Sequence, residues 1–236
     1  MIPKIIHYCW FGRKEKPKQV VDYINNWKKI LPDYVVKEWN ETNFDINKLE
    51  YTKEAYEAGK YAFVSDVARL YALIEDGGIY LDTDVEVIKS FDDLLNEFAF
   101  VGFESKKLIA TCVIGSEKNG VFVNEFYSGY INKHFDLNNT GTNVQLLTAL
   151  LNSKQKISYP FAQIDGYISV YPYDYFVAYN YLYGKREQTD NTYAIHHYAA
   201  TWHPWYERVE KNIFNAFGLR YRALFKRYII EQIKKI

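Results

Sequence analysis

Cysteine is scarce in this chain: Cys9 and Cys112 are the only two in 236 residues. Neither takes part in the C-x-x-C spacing of a zinc site or a redox pair, and two thiols make no disulfide framework. They read as reduced core thiols, and on that reading the protein is expected in the cytoplasm. Net charge is lacking too, with 29 basic residues against 29 acidic ones. That balance excludes the bulk electrostatic footprint of a nucleic-acid binder. No stretch approaches the roughly 20 apolar residues that a membrane-spanning helix needs. The opening MIPKIIHYCWFG reads as a strand, with neither the long apolar run nor the cleavage site of a signal peptide. A glycine-rich G-x-G-x-x-G loop is missing after that first strand, where Trp10-Phe11-Gly12 is too short to form one, which argues against a dinucleotide cofactor. Internal repeats and low-complexity segments are absent.

What the chain has is aromatics: 23 Tyr, 15 Phe and 5 Trp. Their faces suit stacking on sugars and bases, although most must fill core and surface. The length accommodates one domain with a substantial core. Strand, helix, strand over Lys4–Cys9, Pro17–Leu31 and Tyr34–Trp39 predicts the start of an α/β nucleotide-binding unit with a parallel sheet. A short helix is expected over Tyr51–Ala58, ended by Gly59. Further strands are expected at Phe98–Glu104, Leu108–Ile114, Ile168–Tyr171 and Tyr193–Tyr198, with helices over Gly120–His134 and Asn143–Leu151.

The organising stretch is Tyr61–Glu86. Phe63, Val67, Leu70, Tyr71 and Ile74 recur at the three-and-four spacing of a buried helix face. Gly77 and Gly78 stop that helix. Ile79-Tyr80-Leu81 follows as a short apolar strand and delivers Asp82 and Asp84. In an extended chain residues i and i+2 point to one side, so both carboxylates face one site. Such a pair repels unless a cation lies between its members or one is protonated, and Mg2+ or Mn2+ suits oxygen ligands that also hold phosphates. Asp66 and Arg69, three apart on the helix, are neighbours; they are either a surface ion pair or a pair facing the ligand.

Ser65-Asp66-x-x-Arg69 and Gly77-Gly78-Ile79-Tyr80-Leu81-Asp82-x-Asp84 together resemble the core of the glycosyltransferases with a DXD sugar-binding region. Ile2-Pro3-Lys4-Ile5-Ile6-His7-x-x-Trp10 at the start and His196-His197-x-x-x-x-Trp202 near the end extend the resemblance over residues 2 to 202. That family includes yeast initiating mannosyltransferases, bacterial capsular polysaccharide transferases and the catalytic core of the clostridial glucosylating toxins. The resemblance implies a GT-A fold, an α/β sheet flanked by helices. It implies retaining transfer of a hexose from a nucleoside diphosphate sugar, a UDP-sugar or GDP-mannose, to a glycan hydroxyl, with Mn2+ or Mg2+ as cofactor.

The site residues follow from the same resemblance. Asp84 and Asp82 are expected to hold the metal, joined by His197 in preference to His196. Asp66 and Arg69 are expected on the donor sugar hydroxyls, Tyr80 in the pocket wall, and Trp10 stacked on the nucleotide base where the residues alone read it as a core aromatic. Asn40 is either a nucleoside contact or a turn residue. Thr201 and Trp202 are expected near the phosphates, with Ala200-Thr201 standing where relatives often carry Gly-Ser. The polar loop Asn138–Asn143 either approaches the donor sugar or caps a helix through Thr142 or Asn143. Another metal-phosphate enzyme would explain Asp82 and Asp84 but not the two tryptophan blocks. A non-catalytic sugar- or nucleotide-binding module would not need the metal pair.

Two units are expected: a catalytic domain over 1–206 and a basic tail over 207–236. The tail carries eight Lys or Arg against three Glu, with Ile213, Phe214, Phe217, Tyr221, Leu224, Phe225, Tyr228, Ile229, Ile233 and Ile236 at helical spacing. This pattern suits an amphipathic helix on an anionic membrane, near a lipid-linked acceptor, or one packed on its own core or a second subunit.

Overall fold

The computed structural model describes residues 1–136, 141–180 and 185–198. The tail 207–236, Thr201, Trp202 and the start of the polar loop at Asn138 lie outside the described residues. In chain order the elements are β1 (Ile5–Cys9), α1 (Lys18–Ile30), β2 (Val35–Trp39), α2 (Glu50–Glu57), α3 (Tyr61–Asp76), β3 (Gly78–Leu81) and β4 (Val85–Val87). A 3-10 turn at Asp92–Leu94 leads to β5 (Ala99–Ser105), β6 (Leu108–Ile109), β7 (Val113–Ser116), α4 (Val121–Ser128) and α5 (Asn143–Lys154). Then come β8 (Ala162–Ile164), β9 (Ile168–Tyr171), α6 (Tyr173–Phe176), β10 (Tyr179–Asn180), β11 (Lys185–Arg186) and β12 (Ala194–His196).

Among the described residues, one sheet runs in the order β2-β1-β3-β7-β5-β9-β8, with β6 added beside β5. β1 pairs in parallel with both β2 and β3. β7 lies antiparallel to β3 and to β5, so β5 again points the same way as β3, and β9 follows β5 in parallel. The carboxyl ends of β1, β2, β3, β5 and β9 therefore share one sheet edge, where open α/β sheets bind ligands. Side chains alternate between two cores. Tyr80 packs with Val67, Leu70, Val101 and Phe122 on one face, whereas Ile79 and Leu81 pack with Trp27, Phe91 and Phe100 on the other.

The unit α3–β3 is set by backbone geometry at two glycines. Gly77 caps α3 at φ +67°, and Gly78 opens β3 at φ +110°, both in the left-handed region that favours glycine. A Cβ on Gly78 would stand 2.5 Å from the Ile5 carbonyl oxygen, so β1 can lie against β3 only because that atom is missing. His7 closes the same corner: it is wholly buried, with Nε2–H donating to the Gly77 carbonyl (2.7 Å) and Nδ1 accepting from the Trp39 indole (3.0 Å). Burial is the main force on its pKa and pushes it down to about 4, so the ring is neutral at pH 7.

Several boundaries differ from expectation. α3 buries Val64, Val67, Leu70 and Leu73 most fully, while Phe63, Tyr71 and Ile74 are only partly covered, because α2 and α4 pack on it from outside the sheet. The expected strand Leu108–Ile114 breaks at Ala110–Cys112, where the backbone leaves β5: Ala110 N donates to the Gly102 carbonyl and the Cys112 carbonyl accepts from Asp82 N (2.9 Å). α4 stops at Ser128, with Gly129 as its cap. Thr142 caps α5, its hydroxyl accepting from Gln145 N (3.2 Å), so the capping alternative for that loop holds.

Candidate active site

Asp82 and Asp84 leave β3 at the shared sheet edge. Their convergence does not come from strand alternation, as the spacing suggested. Residues 82–84 form a tight turn into β4, closed by Val85 N donating to the Asp82 carbonyl (3.0 Å). β4 is held on one side by α1, whose Trp27 indole donates to the Val85 carbonyl (2.8 Å) and whose Asn26 accepts from Val87 N (3.1 Å). On its other side β12 pairs antiparallel, with His196 opposite Val85. This brings His196 Nε2 within 3.2 Å of an Asp84 oxygen.

Asp82, Asp84 and His196 each offer one ligand atom, all within 4.8 Å of one another. An octahedral ion with bonds of about 2.1 Å spans roughly 4.2 Å between opposite ligands, so small side-chain movements close this set around one cation. Two carboxylates and an imidazole are hard and borderline donors that suit Mn2+ or Mg2+. The structure therefore corrects the choice of histidine. His196 stands with the aspartates; His197 faces the other side of the strand, where its Nε2 donates to Glu86 (2.8 Å). Alternation along an extended segment allows only one of two adjacent side chains into the site. Burial alone would lower the His196 pKa, but the Asp84 carboxylate outweighs it and the pKa stands well above the usual imidazole value.

Asp66 and Arg69 form the floor beneath Asp82, not a surface pair. Both are buried. One Arg69 terminal nitrogen lies 2.9 Å from Asp66 Oδ1 and 3.4 Å from Asp82 Oδ1. The other donates to the Thr111 carbonyl (2.9 Å), and Nε donates to the Ser65 carbonyl (3.2 Å). The guanidinium also lies 4.5 Å over the Tyr80 ring, a favourable cation–π placement. Tyr80 itself is buried and does not form the pocket wall; its hydroxyl donates to Asp82 Oδ1 (2.8 Å). Asp66 also accepts from the Asn143 amide at the start of α5 (2.6 Å). Burial raises the Asp66 pKa, Arg69 pulls it back and Asp82 raises it again, leaving it at about 7.

Trp10 follows β1 on the same edge, partly exposed, with its indole donating to the Lys14 carbonyl (2.6 Å). Asn40 is a turn residue: its side-chain oxygen accepts from Thr42 N and the Thr42 hydroxyl, and its amide donates to Glu38. Two neighbours of His196, and Glu86 beside His197, escaped the sequence reading. Glu104, next to last in β5, has its carboxyl pushed up by burial, against the opposing pull of His196 and a hydrogen bond from Tyr198. The Cys112 thiol, also pushed up by burial, lies against the His196 ring. Glu86 shares the two-residue spacing of Asp82 and Asp84, but the turn at 82–84 puts it on the far side of β4, beside His197.

Residues 17–101 match the family described as the glycosyltransferase sugar-binding region containing the DXD motif, a span that holds Asp66, Arg69, Asp82 and Asp84. The chain is similar to inositol phosphoceramide mannosyltransferase 3 of Schizosaccharomyces pombe, 32% identical over 126 residues, 52% of this chain and 35% of that protein. It is also similar to an uncharacterized glycosyltransferase of Acanthamoeba polyphaga mimivirus, 35% identical over 129 residues, 50% of this chain and 51% of the relative. The chain thus spans about half or less of these relatives. Among solved structures, it is similar to PaToxG glycosyltransferase, with TM-score 0.51 and 21% identity over 65% of this chain and 69% of that one. A glycosyltransferase involved in glycosylation of the major capsid of PBCV-1 gives TM-score 0.51 and 13% identity over 91% of this chain and 100% of that one. Residues 17–101 are accordingly similar to the DXD-type sugar-binding region of the glycosyltransferases. The mixed sheet flanked by helices is the fold of these transferases, as the GT-A expectation required.

Proposed function

We propose that the protein is a metal-dependent glycosyltransferase that moves a hexose from a nucleoside diphosphate sugar to a glycan hydroxyl. The observation that carries this reading is the convergence of Asp82, Asp84 and His196 at the sheet edge, with both aspartates inside the matched sugar-binding region. These three residues would hold Mn2+ or Mg2+, which when bound would neutralise charge developing on the leaving diphosphate. Arg69 and Tyr80 fix Asp82 Oδ1 from below, so the carboxylate is oriented before any ligand arrives. Arg69 is engaged by Asp66, Asp82 and the Ser65 and Thr111 carbonyls, and Asp66 and Arg69 together would meet the donor sugar hydroxyls. Trp10, partly exposed at the end of β1, would stack on the base.

A UDP-sugar is the favoured donor and GDP-mannose the alternative, the latter in keeping with the mannosyltransferase relative. Retention of anomeric configuration and a role in capsule or surface polysaccharide synthesis at the cytoplasmic membrane face complete the proposal. They rest on the family resemblance, and the membrane contact rests on the basic pattern of 207–236. Release of nucleoside diphosphate from a panel of UDP- and GDP-sugars with Mn2+ tests the reading. One donor should be turned over well above the rest; no turnover of any donor, with or without saccharide acceptors, would overturn it.

A further inference from the structure

Glu86 is the third carboxylate in the run Asp82-x-Asp84-x-Glu86, yet it lies on the far side of β4 from the cluster. Its side chain is about three-quarters covered. One oxygen, Oε2, accepts from His197 Nε2 at 2.8 Å and from the Arg186 guanidinium. Burial alone would raise the Glu86 pKa, but these two donors outweigh it and hold the carboxyl below its ordinary value. The His197 ring is further pressed between Tyr23 of α1, stacked at 5.3 Å and 22°, and Tyr179 of β10 at 5.5 Å. His197 N donates to the Asp84 carbonyl (3.0 Å), which locks the register of the segment that follows β12.

One side chain thus ties the β10–β11 unit to β4 and adds a side-chain tie to the backbone pairing that already joins β12 to it. β12 is a three-residue strand with no other strand partner among the described residues. The β10–β11 pair, which carries Arg186, is likewise a two-stranded unit outside the main sheet. A strand this short supplies few backbone bonds to fix its own register, and a shift of one residue would turn His196 away and present its neighbour. We infer that Glu86 is a positioning residue that clamps His197 and Arg186 to β4 and so holds His196 beside Asp84. The clamp rests on the metal reading for its functional meaning, but it acts on His196 whether or not a cation is bound.

The test uses the full chain and two readouts: Mn2+ affinity by electron paramagnetic resonance, and the His196 ring signals in 15N-histidine-labelled protein without metal, assigned with His196→Asn. Glu86→Ala should weaken Mn2+ binding about 10- to 100-fold, the range for an outer partner of a ligand, and shift or broaden the His196 signals. Glu86→Gln, which keeps an oxygen for Arg186 and the same shape, should give a smaller loss of a few-fold and guards against a variant that does not fold. Melting curves establish that each variant is folded. If folded Glu86→Ala and Glu86→Gln leave the His196 signals where they are, the clamp is refuted, whatever the metal affinity. If wild type binds no Mn2+ but the His196 signals move as expected, the metal reading falls and the clamp stands.

Discussion

At the residue scale, His7 and Trp10 show how neighbours on one strand end divide between frame and site. His7 gives both ring nitrogens to the corner between β1, β2 and α3, and its folded-state pKa is about 4 against an ordinary 6.5. A depressed pKa means that the unfolded chain binds the proton more readily. The stabilisation is therefore complete above pH 6.5 and is lost as pH falls towards 4, amounting to about 3 kcal/mol across that window. Urea unfolding at pH 7 and pH 4.5 should show the loss in wild type and much less of it in His7→Gln; equal pH dependence in both would refute the assignment. Trp10 has only its indole nitrogen committed, and its ring is partly exposed at the ligand edge. Trp10→Ala should weaken nucleotide binding by about 1–3 kcal/mol, the range for aromatic–base stacking, with the melting curve little changed. Unchanged nucleotide affinity by calorimetry would return Trp10 to the core.

At the element scale, the α3–β3 unit depends on a backbone that only glycine accepts. Gly78→Ala combines a φ of +110° with a Cβ 2.5 Å from the Ile5 carbonyl oxygen and 3.2 Å from His7 Nε2. It should cost about 2–4 kcal/mol, from strain and overpacking together. A urea midpoint equal to wild type would contradict the geometry. This unit was legible because helical spacing, a glycine pair and an apolar run follow one another without ambiguity. The break between β6 and β7 was not, because Ala110-Thr111-Cys112 is small and buried and reads as continuous strand; what interrupts it is the Cys112 carbonyl turning to Asp82 N. β8, β10 and β11 are two or three residues long, with side chains exposed or half-covered apart from Ala162, and carry no periodic signal. The register of β12 was equally hidden. Adjacent histidines had to face opposite sides, but only the pairing of His196 with Val85 of β4 decides which one enters the site.

At the scale of the whole molecule, β1, β2, β3, β5 and β9 all end on one edge, and the candidate site occupies that edge between Trp10 and His196. The sequence identified Asp82 and Asp84 through their motif. It did not reveal that Arg69 and Tyr80 sit beneath them, because i, i+3 spacing does not tell a buried pair from an exposed one. No described helix is long and apolar enough to cross a membrane. If the basic segment 207–236 docks on an anionic surface, truncation after Gly218 should abolish sedimentation with anionic vesicles at low salt while donor hydrolysis continues. Failure of the full chain to sediment, or unfolding on truncation, would make the segment structural.

On the proposed function, Asp82, Asp84 and His196 hold a cation that sugar transfer requires. That requirement is tested most directly by donor hydrolysis in wild type and Asp84→Asn, each with Mn2+ and with excess EDTA. Either change should lower turnover by at least about a hundredfold, the scale lost with a single electrostatic stabiliser. Full wild-type turnover in EDTA, or an Asp84→Asn variant as active as wild type, would contradict it.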